Sequence, residues 1–239
     1  MTVSREGSGA WVATWTAMPQ RAEPADLPPA PYTTSALALL GDSLTDGRGS
    51  TTNRNDRWPD QLFDRLHSTG IAVANQAAGG NRVLSDGLGP SALARFDRDI
   101  LALSGLRWLI VFEGVNDLGT AEPGQAAQKQ AADDLIAAYE QIIVRAQAHD
   151  LLVYGATLTP FGGNDPYDEG HREAARQAVN DWIRTGGGFD AVIDFDRAVR
   201  DPAEPGRLLP RFDIGDHLHL SPAGYKALAE AVPARLFDR

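Results

Sequence analysis

The chain has 239 residues, 43% hydrophobic and 23% charged, which is ordinary globular material with length enough for one sizeable core. Its net charge of −10, with no lysine/arginine run, argues against nucleic-acid partners and against anionic membrane surfaces, because both need a basic footprint. The lack of cysteine excludes disulfides and thiolate metal sites, and no apolar run approaches the roughly 20 residues of a membrane span, so no membrane insertion is expected.

Residues 1–34 read as an N-terminal extended arm. Trp11-Val12-Ala13-Thr14-Trp15 suits a short strand, and Pro19, Pro24, Pro28, Pro29 and Pro31 then disfavour a helix. No basic stretch precedes an apolar core at the start, so no signal peptide is expected. The chain as written reads as cytoplasmic, or as secreted if it is a mature form. From residue 35 onward, short apolar runs alternate with helical periodicity. Strands are expected over 35–40, 71–75, 107–112, 151–156 and 191–195, each apolar enough to be buried on both faces. A helix is expected over 125–148, where Leu135, Ile136, Tyr139, Ile142, Ile143 and Ala146 share a face. A second is expected over 171–185, with rows Ala174/Ala178/Trp182 and Ala175/Val179/Ile183, stopped by Gly186-Gly187-Gly188. A third begins with Ser221 as N-cap and Pro222 in its first turn, turning Tyr225, Leu228, Ala229 and Val232 inward. Five strands separated by helices predict an α/β fold. The form expected is a three-layer α/β/α sandwich on a mostly parallel sheet, which binds ligands at the carboxyl ends of its strands.

Four blocks carry chemistry: Gly41-Asp42-Ser43-Leu44, Gly79-Gly80-Asn81, Gly114-Val115-Asn116-Asp117 and Asp216-His217-Leu218-His219. The first three each follow a predicted strand, so the fold brings them to one edge. Together they offer a hydroxyl nucleophile (Ser43), a base (His219), a carboxylate to orient it (Asp216), and backbone and side-chain amides for an oxyanion (Gly80, Asn116). Acyl transfer from an ester requires that set. Taken singly, each has a plainer reading: Ser43 as a turn or cap serine, Gly79-Gly80 and Asn116-Asp117 as loop residues, Asp216/His219 as a surface pair. Asp216, His217 and His219 are too few, at this spacing, to persuade as a metal set. The Gly-x-Ser-x-Gly elbow of α/β-hydrolases is absent. Asp117 reads as structural, bonding its own loop, as do Asp42 and Asp46. Glu113 reads as a buried group tied to its loop.

At these blocks the chain resembles the SGNH (GDSL) hydrolase superfamily, with its flavodoxin-like sandwich. Gly41-Asp42-Ser43-Leu44-Thr45-Asp46-Gly47 is similar to the first family block, Ala77 to Arg82 to the second, Gly114 to Asp117 to the third and Asp216 to His219 to the last. The resemblance implies Ser43, Asp216 and His219 as catalytic residues and Ser43, Gly80 and Asn116 as the oxyanion hole. It implies no cofactor and no metal. Gly87 to Pro90, Ala94 to Asp99, Thr157 to Phe161 and the Trp11 to Trp15 opening resemble an acetylxylan-esterase-like bacterial subfamily. Larger members of it carry a strand-rich region before the first block, where this chain has only the arm. Residues 35–239 are thus expected to be the catalytic domain of a serine esterase. Its substrates are expected to be small-molecule or saccharide esters with short acyl groups, acetyl first. Candidates for substrate contact are Asp42, Asn81, Arg82 and Glu113, with Arg54, Asn55, Arg57 and Asn164 in loops suited to a polar cleft. Competing readings are a lipase or general esterase on longer acyl chains, a non-catalytic carbohydrate-binding protein on the same fold, and a metal-dependent hydrolase.

Overall fold

Each apolar run between glycine- and asparagine-rich turns becomes a strand of one sheet. A computed structural model describes residues 35–186 and 188–238; the arm and its expected strand lie outside the described residues. The strands are β1 (Ser35–Gly41), β2 (Ile71–Asn75), β3 (Leu106–Phe112), β4 (Leu152–Ala156) and β5 (Ala191–Ile193). All neighbouring pairs are parallel, in the order β2-β1-β3-β4-β5. Strand β5 stops short of its expected end because the Asp194 carboxylate caps the helix that starts at Phe195, accepting the Arg197 N–H.

The helices are α1 (Ser43–Asp46), α2 (Trp58–Leu66), α3 (Ala92–Phe96), α4 (Val115–Thr120), α5 (Gln125–Gln147), α6 (Gly170–Thr185), α7 (Phe195–Val199) and α8 (Pro222–Ala231). Alternation along β1 divides the core between the two faces of the sheet. Leu37 and Leu39 pack with Trp58, Phe195, Tyr225 and Leu228 of α2, α7 and α8. Ala38 and Leu40 pack with Phe96, Leu135, Tyr139, Ile142 and Val179 of α3, α5 and α6. The result is the expected sandwich, with every strand pair parallel rather than most of them.

Helices α5, α6 and α8 follow their apolar periodicity, except that α6 buries only the Ala175/Val179/Ile183 row. Ala174 and Ala178 face outward, and Trp182 stacks on Tyr139 from the side. The shortest helices carry too few turns for a periodic signal, whereas α2, which the sequence reading does not name, buries Trp58, Leu62 and Leu66 at spacing four. No helix among the described residues is long and apolar enough to cross a membrane.

The strand order reverses direction between β1 and β3, where the chain departs first to β2 and then crosses to the other side. Such a switch point leaves a crevice at the carboxyl ends of the strands. The loops leaving β1, β2 and β3 border it and carry the first three sequence blocks.

Candidate active site

Strand β1 ends at Gly41, a position where nothing larger than glycine fits. A Cβ there would come within 2.5 Å of Thr45 Oγ1 and 2.9 Å of the Phe112 carbonyl. The chain turns at once into α1, with Asp42 as N-cap accepting the Leu44 N–H at 2.9 Å. Ser43 is therefore the first residue of that turn, nearly buried at the sheet edge, and its Oγ lies 2.8 Å from His219 Nε2.

His219 sits in a polar loop closed by a bridge between Asp213 and Leu220. Asp216 organises it. Its Oδ1 accepts the N–H groups of Leu218 (3.1 Å) and His219 (2.8 Å), and its Oδ2 meets His219 Nδ1 at 2.7 Å. A carboxylate only accepts here, so Nδ1 carries the ring proton and Nε2 presents its lone pair to Ser43. Burial pushes the His219 imidazole below its ordinary 6.5, with the Arg48 charge adding to this and the Asp216 carboxylate opposing it. Burial alone would raise Asp216, but the His219 and Leu218 donors outweigh it and hold the carboxyl below its usual range. The arrangement can take a proton from Ser43 and return it to a leaving group.

The second block forms a tight turn. The Asn81 N–H bonds the Ala78 carbonyl at 3.0 Å, and the third residue, Gly80, sits at φ +73°, a region that favours glycine. The Ala78 N–H bonds the Gly41 carbonyl at 3.0 Å, which ties this turn to the Ser43 loop. Among the described residues, neither the Ser43 N–H nor the Gly80 N–H has a hydrogen-bond partner. Asn116, buried in the first turn of α4, donates from Nδ2 to the Asn81 carbonyl at 2.8 Å, and its Oδ1 accepts from the Tyr167 hydroxyl at 2.9 Å. One Nδ2 hydrogen is left over. Two backbone donors and one side-chain donor thus stand unused on loops that border the Ser43–His219 pair.

Behind these loops lies a buried charged cluster. Arg95 on α3 donates to Asn81 Oδ1 at 2.8 Å, to the carbonyls of Gln76 and Gly41, and to Glu113 at 3.5 Å. It thereby joins the ends of β1, β2 and β3. Burial, followed by the nearby negative charge of Asp42, pushes Glu113 well above its usual range. Burial likewise lifts Asp42 to about 7, opposed by the Leu44 N–H and reinforced by Asp117.

Of the four candidates for substrate contact, Asp42, Asn81 and Glu113 are 1–3% exposed and bonded into this framework; burial removes them from the cleft surface. Arg82 is partly exposed, reaching Thr120 Oγ1 at 3.3 Å and the Asp86 carbonyl. Arg57 caps α2 through Asp60, Arg54 and Asn55 lie exposed in the loop before it, and Asn164 binds the Asp216 carbonyl at 2.6 Å. Asp117 does not bond its own loop as expected; it accepts the Val83 N–H at 2.9 Å and the Leu84 N–H at 2.9 Å, across to the loop after β2. His217 turns to Asp213, 2.6 Å away, rather than joining Asp216 and His219.

Sequence reasoning passed over Tyr167 and gave Arg95 no role. The long polar stretch between β4 and α6, at the site end of the sheet, was the available signal for Tyr167. For Arg95 the available signal was its place in the Ala94 to Asp99 stretch that resembles the subfamily.

The model of the GDSL-like lipase/acylhydrolase family matches residues 39–227. No curated protein matches the chain by sequence. Among solved structures, a protein from Desulfitobacterium hafniense DCB-2 described as lipolytic and of the G-D-S-L family superposes with a TM-score of 0.63 at 19% identity, covering 82% of this chain and 97% of that one. A GDSL-like lipase from Bacteroides thetaiotaomicron gives 0.62 at 16%, covering 85% and 88%. Axe2, an acetylxylan esterase from Geobacillus stearothermophilus, gives 0.60 at 21%, covering 82% and 91%. At these identities the likeness is one of fold.

Proposed function

The chain belongs to the GDSL-like lipase/acylhydrolase family and is a carboxylic ester hydrolase, and from that premise we propose that it cleaves short-chain esters, acetylated saccharides foremost, through an acyl-enzyme on Ser43. The observation that carries this reading is the continuous run of hydrogen bonds from Ser43 Oγ through His219 to Asp216, at 2.8 and 2.7 Å. His219 takes the Ser43 proton as the oxygen attacks the ester carbonyl, and the new C–O bond leaves a negative oxygen. The N–H groups of Ser43 and Gly80 and the spare Nδ2 hydrogen of Asn116 stabilise that oxygen. Collapse expels the alcohol, which His219 protonates; the same histidine then activates water to release the acid. The fold likeness to an acetylxylan esterase supports the choice of acyl group and alcohol.

One feature favours a second reading, hydrolysis of longer acyl chains. Leu88 is 88% exposed and its side chain lies against Gly80, which gives the oxyanion turn an apolar neighbour. Hydrolysis of p-nitrophenyl acetate, butyrate, octanoate and palmitate by wild type and Ser43→Ala tests both. The expected result is a rate that falls with chain length, and a variant slower by about 10⁴-fold or more. A rate that rises with chain length selects the second reading, and an active variant removes Ser43 as nucleophile.

A further inference from the structure

Tyr167 lies in the loop between β4 and α6, and its hydroxyl makes one hydrogen bond among the described residues, to Asn116 Oδ1. The Asn81 carbonyl can only accept, so the end of the Asn116 carboxamide that faces it is the nitrogen. The end that faces Tyr167 is then the oxygen, and the phenol donates. We propose that Tyr167 is a positioning residue for ester hydrolysis: its hydroxyl locks the Asn116 carboxamide with the spare N–H toward the reacting carbonyl, and polarises that N–H into a better donor. This rests on the reading of Asn116 as an oxyanion donor.

Three features give the hydroxyl a role beyond holding the ring in place. The ring is already fixed without it, edge-on to Phe161 at 6.1 Å and packed against Gly119 of α4. A Cβ at Gly119 would come within 2.3 Å of the Tyr167 ring, so the glycine leaves the room the ring occupies. The loop is also held independently. Asp168 Oδ2 accepts the Gly163 N–H at 2.9 Å, and Arg172 ties the Pro166 carbonyl (2.7 Å) to that of Ala121 (3.0 Å). What the hydroxyl adds is a donor into the amide oxygen, and donation there strengthens the opposite N–H through the amide's own polarisation. Burial raises the phenol above its ordinary 10, so it remains a neutral donor throughout the working range. The same loop reaches the other side of the site, where Asn164 Nδ2 bonds the Asp216 carbonyl at 2.6 Å. One segment thus spans from the oxyanion donor to the loop that bears the base.

A double-mutant cycle with Tyr167→Phe and Asn116→Ala, assayed on p-nitrophenyl acetate, tests the inference. Tyr167→Phe is expected to lower kcat roughly five- to tenfold, the value of one neutral hydrogen bond, with KM and the pH midpoint of kcat/KM unchanged. In the Asn116→Ala background it should have no further effect, because the group it positions is gone. A higher KM with kcat intact means that Tyr167 touches substrate, and losses that multiply mean that it acts elsewhere; either overturns the proposal. An unchanged kcat in Tyr167→Phe alone, beside a large loss in Asn116→Ala, overturns it while leaving the oxyanion assignment intact. An Asn116→Ala enzyme with full kcat instead removes the oxyanion assignment itself.

Discussion

The two sides of the site are built differently. On the proposed base side, Asp216 binds Leu218 and His219 over separations of two and three residues, and the long-range contacts are Ser43 to His219 and Asn164 to the Asp216 carbonyl. On the proposed oxyanion side, Asn116 binds Asn81 across 35 residues, Tyr167 binds Asn116 across 51 and Asp117 binds Val83 across 34. Asp216 is part-exposed, whereas Asn81, Arg95 and Glu113 are buried. A tetrapeptide can set up a carboxylate–imidazole pair by its own turn geometry. Oriented amide dipoles need a scaffold that is already folded, and here the buried Arg95 guanidinium keeps three strand ends together. Local turn geometry thus suffices for the proposed base, whereas the proposed oxyanion donors depend on tertiary packing.

The sharpest way to break this contrast is to alter one residue on each side. Asp216→Asn keeps an oxygen for the Leu218 and His219 N–H groups but can donate to His219 Nδ1, leaving the proton on Nε2. The expected result is a kcat lower by about 10⁴-fold with little change in chemical denaturation. Arg95→Met should do the reverse, removing the donor to Gln76, Asn81, Gly41 and Glu113 and costing about 3–5 kcal/mol in a denaturant titration. Equal stability losses in the two variants would dissolve the division. Asp42→Asn probes the buried charge with a smaller effect. Asp42 is held at about 7 against an ordinary 3.8, so the fold favours its neutral form. The stability this gives is fully present below about 3.8 and is lost as pH rises through about 7. Asparagine keeps the cap to Leu44 and stays neutral, so the variant's melting temperature relative to wild type should be higher at about pH 8 than at about pH 4. Calorimetry at both values checks this, and a constant difference would mean that folding does not raise the Asp42 carboxyl above its ordinary range. Smallest is the base itself. With His219 held below 6.5, kcat/KM should rise through a midpoint under 6.5, and Arg48→Ala should move that midpoint upward by removing a repelling charge. A midpoint above 6.5 would contradict the burial of the ring.

By itself, the sequence determined the sheet and the base side. Runs such as Leu37 to Leu40 are too apolar to lie anywhere but between two layers, and Asp216 and His219 are close enough in the chain to pair in one turn. It also brought Ser43, Gly80 and Asn116 to one end of the molecule, since each follows a strand. Tertiary structure alone decided the rest. It sent Asp117 across to Val83 and Leu84, buried Asn81, and set Arg95 and Tyr167 behind and beside the amide donors, while the burial of Asp42 and Glu113 agrees with their reading as structural residues. The physical reason is separation. Bonds over two or three residues follow from local backbone geometry, whereas bonds over tens of residues exist only once the sheet and its helices have packed.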